Sequence, residues 1–281
     1  MRHREQPVGV SWLTAVVDRE RRLVFGEVAE LYDEYRPSYP SRLVEDLVEM
    51  AELDGARPVL EVGAGTGKAT CMFAARGIPV TAVEPSAAMA AVARRACADH
   101  PGVLIEVDDF ENWDASGRTF PLVFAAQSWH WVQAPVGFAK AARVLTTRGL
   151  LAAFWNRPAW PEARAREALA AAYRQAAPLL DAADDPMHPD YRFEVGDEDW
   201  VEPVARTDGL SEPEVRCYPS MQMYSSDAYV RLLTTHSAVR LMPDGHRTAL
   251  LDAVACAIAL QGGTIELPLR TRLCLARRCE T

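Results

Sequence analysis

The stretch Pro58-Val59-Leu60-Glu61-Val62-Gly63-Ala64-Gly65-Thr66-Gly67 decides the fold of this chain. Its apolar first half is typical of a buried strand. The glycines that follow let the backbone turn tightly and approach a ligand that side chains would obstruct. The residues after the glycines, Ala69–Ala75, are predicted to form a helix. A glycine-rich turn between a strand and a helix predicts a ligand-binding loop at the carboxyl edge of a parallel sheet.

Strand-like and helix-like segments alternate through the first half of the chain. Further strands are predicted over 79–83, 103–107, 122–126 and 150–155, and helices over 41–50, 86–98 and 136–145. This alternation predicts an α/β, Rossmann-like, doubly wound and mostly parallel sheet. The alternation of strands and helices ends after Asn156. Helices over 161–180, 227–239 and 248–260 and a last strand over 267–276 predict a helical cap inserted after the fifth strand, in a sheet of about seven strands.

These patterns divide the chain into four parts. Residues 1–24 form an N-terminal extension, followed by a Rossmann-like core over 25–156. Residues 157–226 form the cap or substrate insertion, and residues 227–281 supply helices and a final strand that complete the core. The extension could order over the site or pair with a second copy to form a homodimer.

Composition excludes several classes of protein. The 281 residues carry 30 Lys and Arg against 39 Asp and Glu, a net charge of −9, so the chain lacks the basic footprint of a nucleic-acid-binding protein. No apolar run approaches the roughly 18–20 residues that a membrane helix needs, and no secretory signal is visible. We therefore expect a cytoplasmic protein without a membrane partner.

The six cysteines predict neither a metal site nor a disulfide. None of them forms a CxxC pair, and no His stands at zinc-finger spacing from any of them. With a cytoplasmic location, we expect all six thiols to be reduced.

The negative charge is concentrated in one segment. Between Asp181 and Glu214 there are twelve Asp or Glu and two Arg, a local charge of −10, whereas the rest of the chain carries +1. Such runs are commonly solvated surface. On the alternative interpretation, the segment disfavours anionic acceptors, so a neutral or cationic acceptor is expected.

Three acids stand at successive strand ends. Glu61 lies two residues before Gly63, Glu84 ends the second strand, and Asp109 follows the third. A dinucleotide site prefers G-x-G-x-x-G and no carboxylate beside the pyrophosphate, whereas this loop has G-x-G-x-G preceded by Glu61. The carboxylate of Glu61 would repel a pyrophosphate and would suit a cationic group, so the pattern favours a neutral-to-cationic adenosine ligand over NAD. Glu84 is expected to bind ribose hydroxyls, as an acid after the second strand commonly does.

With these motifs, the chain resembles class I S-adenosylmethionine-dependent methyltransferases, specifically the small-molecule enzymes related to the ubiquinone, sterol and trans-aconitate methyltransferases. The resemblance covers roughly Phe25 to Arg278. It implies S-adenosylmethionine as cofactor, S-adenosylhomocysteine as product and a small-molecule substrate. One departure is Phe120-Pro121-Leu122-Val123, where the family usually has Asp in place of Pro121. Proline is tolerated at the start of a strand, so we expect the fold to survive.

The resemblance also assigns the cofactor site. Residues 61–67 would hold the methionine end, Glu84-Pro85-Ser86 with Met89 the ribose, and residues 108–111 the adenine. An entrance segment, Tyr35-Arg36-Pro37-Ser38-Tyr39-Pro40, would cover the cofactor. The predicted cofactor-binding residues are Tyr35, Arg36, Glu61, Gly63, Ala64, Gly65, Gly67, Glu84, Pro85, Met89, Asp109, Phe110 and Gln127.

The sequence assigns the residues beside the methyl acceptor less completely than it assigns the cofactor site. Methyl transfer from a sulfonium needs alignment and exclusion of water, and needs a base only when the acceptor arrives protonated. In Gln127-Ser128-Trp129-His130-Trp131, His130 is the catalytic candidate, as a general base, or else a packed histidine. Tyr32, Trp129, Trp131 and Trp155 are predicted to contact substrate, with core packing as the alternative for each.

We therefore expect methyl transfer from S-adenosylmethionine to a small molecule, at an oxygen atom. N- or C-methylation is left open. A second hypothesis is a cofactor-binding protein of the same fold that acts as a cyclase or a regulator.

Overall fold

The computed structural model describes residues 29–180, 182, 185–191 and 200–279. The predicted extension over 1–24 and about half of the acidic residues between 181 and 214 lie outside these described residues. Within them, seven strands form one sheet in the order β3-β2-β1-β4-β5-β7-β6. The first five strands are parallel, and β7 runs antiparallel between β5 and β6. This confirms the Rossmann-like, mostly parallel sheet.

The strands are β1 (Val59–Val62), β2 (Val80–Val83), β3 (Val103–Glu106), β4 (Phe120–Ala126), β5 (Leu145–Pro158), β6 (Glu214–Ser225) and β7 (Thr264–Arg277). The helices are α1 (Ala29–Tyr35), α2 (Ser41–Met50), α3 (Lys68–Ala74), α4 (Ala87–Ala96), α5 (Ala134–Val144), α6 (Arg166–Ala176), α7 (Val201–Ala205), α8 (Ser226–Thr234), α9 (Ser237–Arg240) and α10 (Asp244–Ala259).

Helices cover both faces of the sheet because its central strands are buried on both sides. All four residues of β1 are buried, as expected for a parallel strand between two helical layers. Helices α2, α3 and α4 pack on one face around Leu43, Phe73 and Phe124. Helix α5 packs on the other face, where Phe138 meets Trp129.

Pro121 lies at an irregularity of the sheet. The register of β4 against β5 shifts between Phe120 and Leu122, so the missing N–H of Pro121 interrupts no regular ladder. The strand continues normally to Ala126. As expected, the fold tolerates proline here.

The cap is a second apolar layer built on the long strands. β5 and β7 have 14 residues each, whereas β1 to β3 have four, and the first half of β7 contributes Ile265, Leu267 and Leu269 to the core of the cap. Helices α6, α8 and α10 pack around it. The structure differs from the predicted division at two points: residues 214–225 form the edge strand β6, and the helices α8 and α10, predicted to complete the core, pack in the cap. No helix in the described part of the chain is long and apolar enough to cross a membrane.

The expectation of six reduced thiols is wrong for one pair. Cys71 on α3 and Cys97 after α4 form a disulfide, with their Cα atoms 5.7 Å apart. They are 26 residues apart in sequence, and only the packing of α3 against α4 brings them together. Cys217, Cys256, Cys274 and Cys279 are free.

Gly67 permits this close helix packing. It has a φ of +88°, and a Cβ atom there would lie 3.1 Å from the Cα of Ala93 on α4. Gly77 also has a positive φ, +74°, but a Cβ there would meet nothing within 4 Å.

We expect Gly67→Ala to lower the free energy of unfolding by about 2–4 kcal/mol, because a backbone penalty adds to the overpacking against α4. Gly77→Ala is the matched control, and we expect it to lose only the backbone penalty, about 1–2 kcal/mol. Urea denaturation measures both variants. Equal losses would show that helix packing at Gly67 contributes nothing.

Candidate active site

A cavity of about 410 Å³ opens at the carboxyl edge of the sheet. Its walls come from the segments after β1, β2, β3 and β4, from the end of β5, from the entrance segment, and from the cap. Of the predicted site residues, the following line it: Tyr32, Arg36, Glu61, Gly63, Ala64, Gly65, Glu84, Pro85, Met89, Asp109, Phe110, Gln127, His130 and Trp131.

The turn after β1 is held against its neighbours on both sides. The Gly63 N–H donates to the carbonyl oxygen of Val83 at 2.8 Å, and the Ser128 hydroxyl donates to the carbonyl oxygen of Val62. A Cβ at Gly63 would lie 2.5 Å from the Cβ of Ser128. Only glycine permits this approach, which brings the ends of β1, β2 and β4 together around the cavity.

The carboxylate of Glu61 is buried, with one oxygen in use and one not. The Thr70 hydroxyl donates to Oε2, whereas Oε1 is buried without a hydrogen-bond partner among the described residues. Burial raises the pKa of Glu61 to about 8, against the opposing effect of the Thr70 bond. An unpartnered buried carboxylate oxygen in a cavity wall fits a cationic ligand group, which would satisfy it and favour its ionised form.

Glu84 joins the glycine loop to the second strand. Its carboxylate accepts hydrogen bonds from the backbone N–H groups of Gly65 and Ser86, at 2.8 and 2.9 Å. Burial nevertheless raises its pKa. A carboxylate has about four acceptor positions, so two remain for ligand hydroxyls. Asp109 and Phe110 line the cavity beside it, and the Phe110 ring packs on Trp129 at 6.1 Å.

The entrance segment is tied down across the cavity. The amide nitrogen of Asn156, near the end of β5, donates to the carbonyl oxygen of Ser38 at 3.1 Å, and the Tyr39 ring meets the Phe154 ring edge-on at 4.8 Å. The Arg36 guanidinium donates to the side chain and carbonyl of Thr235 at 2.8 and 2.9 Å. Sheet, entrance segment and cap therefore enclose one space.

Four predicted site residues do not line the cavity. Gly67 faces α4, and the Tyr35 carbonyl accepts a hydrogen bond from Tyr224 at 3.1 Å, behind the entrance segment. Trp129 is buried in the core below the cavity, because the turn after β4 directs it toward Phe138 on α5. Trp155 is buried on the same sheet face. For both tryptophans, core packing is the better interpretation.

His130 lines the cavity and is linked to Trp155. The indole N–H of Trp155 donates to Nδ1 of His130 at 3.1 Å, and the Trp131 ring packs on the imidazole at 4.7 Å. An indole nitrogen only donates, so Nδ1 carries the lone pair and the neutral ring carries its proton on Nε2. In this state neither nitrogen has a lone pair available to take a proton from an acceptor.

Sequence reasoning missed the residues at the far end of the cavity. Arg157, His236, Met187 and Tyr191 line it. Arg157 had a signal, since it is a cation two residues beyond the predicted fifth strand, and the structure places it near the end of β5. The others come from cap segments without a pattern. The acids of the 181–214 segment that the structure describes do not line the cavity, so the expectation drawn from that segment finds no contact to support it.

Comparisons with known proteins agree with this geometry. Residues 59–149 match the family model of a methyltransferase domain. An uncharacterized methyltransferase of Mycobacterium tuberculosis is 36% identical over 138 residues, which is 49% of this chain and 54% of that protein. The chain thus spans about half the length of the curated relatives it matches.

Two solved structures share the fold. One, described as a candidate type II methyltransferase from Anaeromyxobacter dehalogenans, has a TM-score of 0.58 and 26% identity over 88% of this chain and 98% of its own. The other is the phosphoethanolamine N-methyltransferase 2 of Haemonchus contortus, in complex with phosphomonomethylethanolamine and S-adenosylhomocysteine. It has a TM-score of 0.52 and 14% identity over 98% of this chain and 62% of its own.

Sheet order, glycine loop and acidic strand ends define a class I methyltransferase fold. Residues 59–149 are similar to a methyltransferase domain, and the chain as a whole is similar in fold to a methyltransferase structure, in agreement with the resemblance that the sequence motifs indicate.

The raised pKa of Glu61 predicts pH-dependent ligand binding. At pH 7 a carboxyl group with a pKa of about 8 is mostly protonated, and a ligand ammonium would bind its ionised form. Affinity for S-adenosylhomocysteine should therefore rise between pH 6 and pH 8, by up to about tenfold per pH unit, with release of a proton. Calorimetry in buffers of different ionisation enthalpy measures both effects.

Two controls test whether the pH dependence of ligand affinity is due to Glu61. Methylthioadenosine lacks the ammonium, so its affinity should not change with pH. Glu61→Gln should weaken S-adenosylhomocysteine binding at pH 8 and abolish the pH dependence. A flat wild-type profile from pH 6 to pH 8 would contradict the assignment.

Proposed function

We propose that this protein transfers a methyl group from S-adenosylmethionine to an oxygen atom of a small molecule. The observation that carries the proposal is the buried, unpartnered Oε1 of Glu61 inside a cavity lined by acids from three successive strand ends. An ammonium group satisfies that oxygen, and adenosine hydroxyls suit the remaining acceptor positions of Glu84.

The described residues fit the cofactor along its length. Glu61 would hold the amino group, Glu84 the ribose hydroxyls, and Asp109 with Phe110 the adenine. Gly63 lets the backbone after β1 lie close to Ser128, which leaves this wall of the cavity free of a side chain. When bound, S-adenosylmethionine supplies a methyl group already activated by a sulfonium.

What remains for the protein is alignment and the exclusion of water. The entrance segment, held by Asn156 and Thr235, closes one side of the cavity. Pro186 and Met187 of the cap close another. A cavity of about 410 Å³ is of the size that small-molecule sites have, and this supports a small acceptor.

His130 was predicted to act as a general base, and its hydrogen bond instead favours a role as a donor to the acceptor. Because Nδ1 accepts from Trp155, the ring can donate from Nε2 to an acceptor oxygen, whereas acting as a base would require the Trp155 bond to break. We therefore propose that His130 positions the acceptor, and that the reacting oxygen is ionised before it binds.

The proposal is tested by incubating the protein with S-adenosylmethionine labelled in its methyl group and a panel of hydroxylated and acidic small molecules. Label should move to at least one acceptor, and Glu61→Gln should reduce the rate at subsaturating cofactor by about tenfold or more. The exposed Glu212→Gln is the matched control and should leave the rate unchanged. Tight binding of S-adenosylhomocysteine without transfer to any acceptor would favour the cofactor-binding, non-transferring alternative.

The kinetics of the His130→Gln variant distinguish a positioning role of His130 from a role as general base. Loss of a positioning donor should raise KM for the acceptor by about tenfold and leave the shape of the pH–rate profile unchanged. Loss of a general base should instead lower kcat by about 10²-fold or more and remove the acidic limb of that profile. The second outcome would restore the general-base assignment.

A further inference from the structure

A disulfide joins the two helices that follow the first two strands of the sheet. Cys71 lies on α3, which begins directly after the glycine loop, and Cys97 directly follows α4. Both cysteines meet Gly67, the last glycine of the loop. Its carbonyl oxygen accepts a hydrogen bond from the Cys71 N–H at 2.8 Å and lies 4.0 Å from the sulfur of Cys97. The cross-link is therefore in contact with the loop that leads into the proposed cofactor site.

The two residues beside Cys71 hold opposite walls of the cavity. The Thr70 hydroxyl donates to Oε2 of Glu61, in the wall after β1. The Ser38 hydroxyl, in the entrance segment, donates to the thioether sulfur of Met72 at 3.5 Å. Because neighbouring residues of a helix move together, a shift of α3 at Cys71 would disturb both contacts. The orientation of the Glu61 carboxylate thus depends on the position of α3.

Helix α4 supports the part of the site after β2. The Ser86 N–H donates to the carboxylate of Glu84 at 2.9 Å, and the Ser86 hydroxyl caps α4 by accepting from the Met89 N–H at 3.3 Å. Met89 lines the cavity and packs against α1. From the other side, the Lys68 ammonium on α3 donates to the carbonyl oxygen of Asp33 on α1. Helix α1, which leads into the entrance segment, therefore rests on both of the helices that the disulfide joins.

We propose that Cys71 and Cys97 form a redox switch that sets the affinity of this chain for its cofactor, with the disulfide form binding more tightly than the dithiol form. The disulfide holds α3 and α4 together before the ligand arrives. In the dithiol form only non-covalent contacts join them, so the ligand must restrict their motion as it binds, and this weakens binding. The inference rests on the proposed function and adds its regulation.

The redox step requires a dithiol reductant, and its atoms and electrons balance. Cys71 is half-buried and Cys97 is buried, so a thiolate of the reductant attacks the sulfur of Cys71. A mixed disulfide forms, the bond between the two protein sulfurs breaks, and Cys97 leaves with the electron pair and takes up a proton. The second thiol of the reductant then displaces Cys71. The products are two protein thiols and the reductant as a disulfide.

The test measures S-adenosylhomocysteine affinity by calorimetry for the intact chain, once oxidised and once reduced with excess dithiothreitol. A thiol assay on denatured samples should count four thiols in the oxidised chain and six in the reduced chain. We expect the oxidised chain to bind about 5- to 20-fold more tightly. Affinities equal within about twofold, or tighter binding by the reduced chain, would overturn the proposal.

Serine variants assign this difference to the disulfide. Cys71→Ser and Cys97→Ser should bind like the reduced wild type, within about twofold, whether or not dithiothreitol is present. Thermal unfolding shows whether they fold. Cys256→Ser removes an exposed free cysteine on α10 and is the matched control, so it should keep the full difference between oxidised and reduced chain. Loss of the difference in the control would assign the effect to another thiol.

A reciprocal measurement distinguishes a switch from a purely structural disulfide. By linkage, S-adenosylhomocysteine must make the disulfide harder to reduce by the same factor by which the disulfide improves its binding. A tenfold ratio corresponds to about 30 mV in the midpoint potential of this two-electron couple. If reduction lowers Tm while the ligand leaves the midpoint potential unchanged, the disulfide only stabilises the fold and the proposal is wrong.

Failure of this inference is distinguishable from failure of the proposed function. If S-adenosylhomocysteine binds the oxidised and the reduced chain equally and label still moves to an acceptor, methyl transfer stands and the redox switch is wrong. If neither form binds S-adenosylhomocysteine, the proposed function fails and the switch fails with it.

Discussion

The close approach of the backbone at Gly63 to the turn after β4 is the constraint on which the site depends. A side chain at position 63 would collide with Ser128, so only glycine allows the ends of β1 and β4 to meet. The bond from the Gly63 N–H to Val83 joins the end of β2 to the same point. Once these three strand ends converge, Glu61, Glu84 and the turn bearing His130 face one cavity.

This convergence places ionisable groups where water cannot solvate them fully, and the consequences differ at the two ends of the cavity. At one end burial raises the pKa of Glu61 to about 8 and raises that of Glu84. At the other it lowers the pKa of Arg36 and Arg157. Burial therefore disfavours the ionised form of each of these groups, and a cationic ligand group beside Glu61 would favour its carboxylate.

Sequence reasoning predicted the parts of this arrangement that follow from local pattern. The alternating segments, the glycine loop and the acids at the ends of β1, β2 and β3 could be predicted because strand ends in a parallel sheet share one edge. Sequence reasoning failed where packing decides in which direction a side chain points. Trp129 and Trp155 flank the site in sequence but turn into the core, and Cys71 meets Cys97 only because two helices pack closely. The cap residues His236 and Met187 had no pattern that could place them at the cavity.

The entrance segment and the acceptor end of the cavity are linked through Asn156. Its side-chain oxygen accepts from Thr271 on β7 at 2.6 Å, while its nitrogen donates to Ser38. Arg157 is the next residue, and Arg36 lies two residues before Ser38 in the segment that Asn156 holds. The bond from Asn156 to Ser38 and the two bonds from Arg36 to Thr235 therefore fix the position of Arg36 relative to the end of β5.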